Sequence, residues 1–236
     1  MSDNRTIGED RGFAIRQIGH MIISPGRQYI FAHMPKTGGT SFAAALEERA
    51  HKDDILIGDT PKALRRKPRL AGLSSSGRLW KHSTLADIEG IVTQAQMNNW
   101  FVVTLVRNPW DRVVSYYHWL QGQSFDHPAV GLAQSAPFSE FVLNDGVRRA
   151  LQANPVSHFT RDSLGHDQSN LVVRLERFTE DAVPFWDHLG FQLELPHLNR
   201  SQRTQSYTNY YTDDTRAAVA EACREDILKF DYRFGA

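Results

Sequence analysis

The first apolar run of the chain begins at Tyr29 and predicts a buried β-strand. Pro35 ends this run, and the two glycines that follow permit a tight turn. Thr40 or Ser41 can then cap a helix that continues through Leu46. The pattern therefore predicts a strand, a glycine-containing loop and a helix in direct succession.

Later apolar runs repeat this alternation of strands and helices. Strands are predicted at residues 54–57, 100–106 and 171–173, and helices at residues 85–96, from Pro109, at residues 137–144, and along a final stripe of Val219, Cys223, Ile227 and Phe230. The run at 100–106 is apolar on both faces, which is typical of a central parallel strand. Residues 121–135 lack periodicity and predict a loop. We expect an α/β fold, a P-loop-like three-layer α/β/α arrangement with a central, mainly parallel sheet.

The chain of 236 residues is long enough for one sizeable core, and no Pro/Ser/Gly-rich linker divides it. We expect a polar lead-in at residues 1–27, in which residues 14–23 pair at an edge, and a single domain at residues 28–236. The 27 acidic and 27 basic residues balance, so the sequence does not predict a nucleic-acid partner, and any anion site must be local. The sequence has neither a signal peptide nor an apolar run of about twenty residues. Its one cysteine, Cys223, suits a reducing compartment, so we expect a cytoplasmic protein without an integral membrane segment.

The loop between the first strand and helix combines features that bind phosphate or sulfate. Backbone amides at a helix start point toward such an anion, and the helix dipole favours negative charge there. Lys36 adds a full positive charge, but it precedes both glycines, whereas a Walker A loop has its lysine after the last glycine. The predicted anion-binding residues are Lys36, Thr37, Gly38, Gly39, Thr40 and Ser41.

A second anion-binding pair follows the strand predicted at residues 100–106. Arg107 lies at the carboxyl end of this strand, and Ser115 lies two turns along the helix that Pro109 opens. Open α/β sheets bind ligands in the crevice at the carboxyl ends of their strands. Arg107 and Ser115 can therefore point at one anion there.

The two motifs together resemble those of sulfotransferases that use 3'-phosphoadenosine-5'-phosphosulfate (PAPS), most closely the family that includes carbohydrate 2-O-sulfotransferases. The string at residues 35–41 resembles the 5'-phosphosulfate loop, and Arg107 and Ser115, eight positions apart, resemble the 3'-phosphate motif. The resemblance covers roughly residues 29–234 and suggests a soluble member of bacterial type. It implies PAPS as donor, 3'-phosphoadenosine 5'-phosphate (PAP) as product, no metal, and a hydroxyl-bearing acceptor. A carbohydrate is the default acceptor from the resemblance, and lipids and small alcohols remain open.

His82 stands between the phosphosulfate loop and the next core strand. In the resembled family, a histidine in this place is the general base. An unperturbed imidazole titrates near neutrality and can take a proton from an alcohol at cellular pH. The predicted catalytic residues are therefore Lys36 and His82.

Other residues have weaker connections to the site. The basic run from Lys62 to Arg69 is either a solvated surface or an acceptor groove for an acidic glycan. Trp110 is a weak candidate for contact with the adenine ring. Glu176 is expected to have a structural role. Tyr116, Tyr117 and Trp119 are expected in the core. Possible contacts with acceptor or nucleotide are Phe125, Asp126, His127, Arg200 and Arg203.

Two alternatives remain open from the sequence. A P-loop nucleotide kinase or NTPase would need a carboxylate for Mg²⁺ at the end of a core strand, where this chain has Arg107. A non-catalytic glycan-binding module with a degenerate nucleotide site would tolerate loss of Lys36 or His82, yet both are present.

Overall fold

A computed structural model describes residues 20–195 and 205–236, and five strands in this part of the chain form one sheet. They are β1 (His20–Ser24), β2 (Tyr29–Ala32), β3 (Ile55–Gly58), β4 (Phe101–Val106) and β5 (Leu171–Arg174), in the order β3-β1-β2-β4-β5. β2, β4 and β5 pair in parallel, and β1 runs antiparallel to β2 and β3. The predicted α/β fold with a central sheet is confirmed, and β4 is the central parallel strand that its apolar sequence predicted.

Helices cover both faces of the sheet and extend beyond one of its edges. They are α1 (Gly39–Glu48), α2 (Pro61–Arg66), α3 (Gln94–Asn99), α4 (Pro109–Gln121), α5 (Pro128–Ser135), α6 (Phe138–Leu143), α7 (Asp145–Ala153), α8 (Val156–Thr160), α9 (Phe178–Asp181), α10 (Val183–Leu189), α11 (Asp213–Ala222) and α12 (Arg224–Phe230). Short 3-10 turns at Lys67–Leu70, Ala86–Ile88, Leu175–Arg177 and Tyr207–Tyr210 join some of them.

Alternate residues of each strand point to opposite faces of the sheet, so the strands contribute to two cores. On one face, Ile22, Phe31 and Val103 pack against α1 and α10. On the other face, Ile30 and Val102 pack against the segment that contains α3 and against α8. A third apolar cluster joins α4 to α5, α6, α7 and α11. The resulting layers are the predicted α/β/α arrangement.

The prediction of a polar lead-in at residues 1–27 is wrong for the residues that form β1. All five of its residues are buried, and it lies between β2 and β3 rather than at an edge. Met21 pairs with Ile57 of β3, and Ile23 pairs with Ile30 of β2. This short apolar run therefore satisfies its backbone on both sides and is an internal strand of the sheet.

Three predicted helices or loops are also different in the structure. The helix expected at residues 85–96 is a 3-10 turn followed by α3, because Gly90 adopts a φ of 91° between them. The loop expected at residues 121–135 contains α5, which begins at Pro128 and is capped by the His127 side chain. The final helix is divided at Cys223 into α11 and α12.

Candidate active site

The loop between β2 and α1 lies at the carboxyl edge of the parallel part of the sheet. Two of its residues have left-handed backbone conformations, Lys36 with a φ of 68° and Gly38 with a φ of 81°. Such a φ is uncommon for a residue with a side chain, and this kind of strain concentrates at ligand-binding sites. The buried hydroxyl of Thr37 donates a hydrogen bond of 2.9 Å to the Met34 carbonyl and fixes the turn.

This bond limits how Thr37, predicted to bind an anion, can do so. A hydroxyl has one proton, and phosphate and sulfate oxygens can only accept. Because the Thr37 proton already goes to Met34, its side chain does not donate to an anion in this conformation. Thr40 and Ser41 lie half-buried in the first turn of α1.

The glycines of this loop are required by their neighbours. A Cβ atom on Gly38 would lie 2.6 Å from Cδ1 of Leu175, and one on Gly39 would lie 2.3 Å from Cδ2 of His33. No side chain caps the start of α1, while the Ser41 amide already bonds to the Gly38 carbonyl at 3.1 Å. The amides of Gly38, Gly39 and Thr40 are therefore the ones that this helix start can offer to an anion.

Arg107 follows β4 at the same edge of the sheet. Its Nε and Nη2 donate to Oδ2 of Asp111 at 2.8 and 2.5 Å, and its Nη1 lies 3.4 Å from the Lys36 carbonyl oxygen. These bonds leave two of the five guanidinium N–H donors without a partner among the described residues. Arg107 thus joins the two sequence motifs and retains a pair of donors that suits phosphate.

Ser115 lies on α4, one helical turn before Trp119. Residues four apart share a face of a helix, and the Trp119 ring lies 5.4 Å from the Lys36 ammonium. Ser115 is therefore on the side of α4 that approaches the phosphosulfate loop. Its half-buried hydroxyl has no hydrogen-bond partner in the part of the chain that the structure describes.

His82 is held by the strand end that precedes the phosphosulfate loop. Its Nδ1 lies 2.7 Å from the His33 carbonyl oxygen. Because a carbonyl can only accept, the Nδ1 atom carries the proton and Nε2 has the lone pair that a general base requires. Burial lowers the pKa of His82 from 6.5 to about 4, with smaller contributions from the charges of Lys81 and Lys36. The imidazole is therefore neutral at cellular pH.

His33 lies beside His82, and the two ring centroids are 4.6 Å apart. Burial lowers the pKa of His33 well below its ordinary value, and the neighbouring positive groups lower it further. His33 also packs closely on Gly39, so one residue supports both His82 and the loop between β2 and α1. His33 was not among the residues predicted from the sequence, although its position directly after β2 was a usable signal.

The basic run from Lys62 to Arg69 mainly binds backbone carbonyls. Lys62 donates to Glu47, Arg66 donates to His51 and Asp54, and Arg69 donates to Lys52. These bonds tie α2 and the turn after it to the segment that follows α1. They support the interpretation as a structural surface and give no support to an acceptor groove.

The aromatic residues of α4 differ in their burial and in their partners. Trp110 is buried and its indole N–H donates to the Arg216 carbonyl, which weakens its claim on adenine. Tyr117 is buried as expected. Tyr116 and Trp119 are half-buried and pack against the apolar cluster around α4, and the Trp119 ring also lies 5.4 Å from the Lys36 ammonium.

Glu176 has the structural role that its sequence position suggested. It accepts hydrogen bonds from the Asn108 amide at 2.7 Å and from the Tyr232 hydroxyl at 3.1 Å, and so joins the start of α4 to the end of the chain. The predictions for Arg200 and Arg203 fall outside the described residues.

The structure contains no helix that is long and apolar enough to cross a membrane, as far as residues 20–195 and 205–236 are concerned. In those same ranges, no group of three His, Cys, Asp or Glu side chains is placed to hold a metal ion.

Comparisons with known proteins identify the family. The model of the sulfotransferase family matches residues 19–233, which is most of the chain. A comparison with curated proteins found no match. Among solved structures, the chain is similar to the mouse sulfotransferase SULT7A1 complexed with PAP, with 15% identity and a TM-score of 0.49 over 92% of this chain and 86% of that one. The family match confirms the prediction of a PAPS-dependent sulfotransferase. The chain belongs to the sulfotransferase family.

Proposed function

We propose that this enzyme transfers a sulfuryl group from PAPS to a hydroxyl of a carbohydrate acceptor. The observation that carries the proposal is the contact between Arg107 and the Lys36 carbonyl, because it joins the two anion-binding motifs. The proposed nucleotide-binding residues are Lys36, Thr37, Gly38, Gly39, Thr40, Ser41, Arg107 and Ser115.

The residues present fit an anionic nucleotide with phosphates at two positions. A Cβ at Gly38 or Gly39 would collide with a neighbour, so the backbone itself forms the cradle for the 5' end. The two remaining N–H donors of Arg107 and the hydroxyl of Ser115 suit the 3'-phosphate. When bound, PAPS supplies the sulfuryl group.

Each side chain then has a defined task. The Lys36 ammonium neutralises the negative charge that develops on the leaving phosphate oxygen. The amides of Gly38, Gly39 and Thr40 hold the 5'-phosphate, and the Thr37 amide can join them while its hydroxyl fixes the loop. His82 accepts the proton of the acceptor hydroxyl at Nε2, while its Nδ1–H continues to donate a hydrogen bond to the His33 carbonyl.

Burial, with smaller contributions from nearby cations, keeps His82 in its neutral form in the free enzyme. Lys36 and Lys81 disfavour a positive charge on His82, so it does not hold a proton before the acceptor arrives. The negative charge of the bound nucleotide offsets the effect of Lys36 and Lys81 on the pKa of His82. We therefore propose that His82 becomes more basic once the donor is in place.

The carbohydrate acceptor rests on the sequence resemblance, and the cytoplasmic location rests on the single, buried cysteine. We further propose that residues 28–236 form one catalytic domain, to which β1 also belongs. The kinase alternative has lost its support, because the family match covers the residues on which it depended.

A transfer assay tests the proposal. The protein is incubated with ³⁵S-labelled PAPS and a panel of cellotetraose, chitotetraose and chemically desulfated chondroitin hexasaccharide. We expect label in at least one saccharide and none with Lys36→Ala or His82→Ala. PAP binding without transfer to any hydroxyl compound, small alcohols and phenols included, would favour the non-catalytic module.

A further inference from the structure

Large aromatic side chains that are exposed to solvent occur at two positions in the described part of the chain. Trp80 is 45% exposed and Phe125 is 47% exposed. The remaining exposed large hydrophobic residues in this part are aliphatic: Leu64, Leu143, Leu164, Val183 and Leu228. Exposed aromatic surface beside a functional group commonly marks a ligand site.

Both exposed aromatics are neighbours of the proposed catalytic pair. The Trp80 ring meets the His82 ring edge to face, with centroids 5.1 Å apart. Phe125 lies 6.1 Å from the ring of Trp119, which in turn lies 5.4 Å from the Lys36 ammonium. Neither exposed ring is needed to hold the nucleotide motifs, so the site has aromatic surface that the donor chemistry does not use.

The segment that carries Trp80 is fixed before any ligand arrives. The Trp80 amide donates to Oγ of the buried Ser83 at 2.9 Å. The same Oγ lies 2.9 Å from the carbonyl oxygens of Arg78 and Trp80. The Arg78 guanidinium lies 5.8 Å from the centre of the indole ring. A side chain on such a fixed turn binds a ligand with little loss of conformational entropy.

We propose that Trp80 is the stacking platform for the acceptor sugar and that Phe125 forms a second wall of the same subsite. The inference rests on the proposed function and adds the residues that select the acceptor. The C–H bonds on one side of a pyranose ring carry partial positive charge and pack well on the negative face of an indole. Because Trp80 contacts His82, a sugar on this platform has a hydroxyl within reach of the base.

The test compares acceptor and donor constants for Trp80 variants. It uses the saccharide of the panel that the wild-type enzyme binds best in the presence of PAP, as measured by calorimetry. Trp80→Ala is expected to raise KM for this saccharide at least about tenfold, and Phe125→Ala to raise it less. Trp80→Phe, which keeps an aromatic face, is expected to recover most of the loss.

Three further measurements distinguish a role in acceptor binding from other effects of these substitutions. KM for PAPS and Kd for PAP are expected to stay within about twofold of wild type, because neither ring touches the nucleotide motifs. The control Leu164→Ala truncates a side chain that is 72% exposed, and it should leave KM for both substrates and Kd for PAP unchanged. If Trp80 only positioned His82, Trp80→Ala would lower kcat and leave the acceptor KM unchanged, which would overturn the inference.

Two further outcomes also decide the question. An enzyme that binds PAP but none of the saccharides, or one whose acceptor KM is indifferent to both substitutions, would overturn the platform while leaving sulfuryl transfer intact. A protein that fails to bind PAP at all would instead refute the proposed function itself. The two failures are thus distinguishable by the PAP titration.

Discussion

The guanidinium of Arg107 lies 3.4 Å from the backbone carbonyl of Lys36, although 71 positions separate them in the chain. The contact is possible because β2 and β4 are parallel neighbours whose carboxyl ends meet, with Ala32 paired to Thr104. Asp111 fixes the other side of the guanidinium. The arginine of one motif therefore helps to set the conformation of the loop that holds the lysine of the other.

Loss of either proposed catalytic side chain should reduce turnover strongly. Removing one preorganised group of this kind costs about 100- to 1000-fold in rate, and we expect at least this for kcat of Lys36→Ala and His82→Ala. The far-UV circular dichroism and melting temperature should remain close to wild type. Lys67→Ala, at an exposed position of the basic run, is the matched control and should keep full activity. Retained turnover in either catalytic variant would remove that residue from the mechanism.

The two glycines at 39 and 131 should respond to alanine in opposite ways. A Cβ on Gly39 would lie 2.3 Å from His33, whereas one on Gly131 in α5 meets nothing within 4 Å. Gly39→Ala is expected to cost about 1–3 kcal/mol in unfolding free energy and to weaken PAP binding. Gly131→Ala is expected to stabilise the protein by about 0.5–1 kcal/mol, because alanine is the better helix former. Urea denaturation measures both, and equal effects would contradict the close packing at Gly39.

The buried histidines make stability depend on pH. Burial lowers the pKa of His20 and of His82 from 6.5 to about 4 in the folded protein. Between these values the unfolded chain takes up protons that the folded chain does not, so stability is complete above pH 6.5 and falls as the pH falls toward 4. His20→Gln should reduce the slope of unfolding free energy against pH in this range. An unchanged slope would contradict the neutral, buried state of His20.

The pH dependence of catalysis should separate free and bound enzyme. kcat/KM for PAPS reports the free enzyme and is expected to lose activity only near the His82 pKa of about 4. kcat reports the complex, in which the negative charge of the nucleotide favours the protonated imidazole. Its acidic limb should therefore lie at higher pH than that of kcat/KM. Coincident limbs would show that the donor does not tune the base.

Much of the active-site edge was predictable from the sequence because strong local signals coincide there. The apolar runs of β2 and β4, Pro35, the paired glycines and Pro109 each fix backbone conformation locally. The α5 helix also had a local signal, Pro128 at its first position with Val130 and Ala133 buried at helical spacing. Because α5 has only 8 residues, its helical periodicity was not recognised in the sequence.

Other features depend on contacts between distant segments and could not be predicted. The Thr37 hydroxyl had two possible acceptors, and only the folded turn assigns it to Met34. Trp119 packs against the apolar cluster around α4 as expected, but only the folded chain shows that its ring also lies beside the Lys36 ammonium. Trp80 had no periodic context, and its value lies in its contact with His82.

The most direct test of the central claim is calorimetric titration of PAP and of ATP, with and without Mg²⁺, into wild type and Arg107→Ala. Arg148→Ala, which breaks only exposed ion pairs, is the control. We predict metal-independent binding that favours PAP over ATP, with affinity for PAP lowered about 10- to 100-fold by Arg107→Ala, the cost of losing hydrogen bonds to a charged group. Mg²⁺-dependent ATP binding that is indifferent to Arg107→Ala would contradict the account.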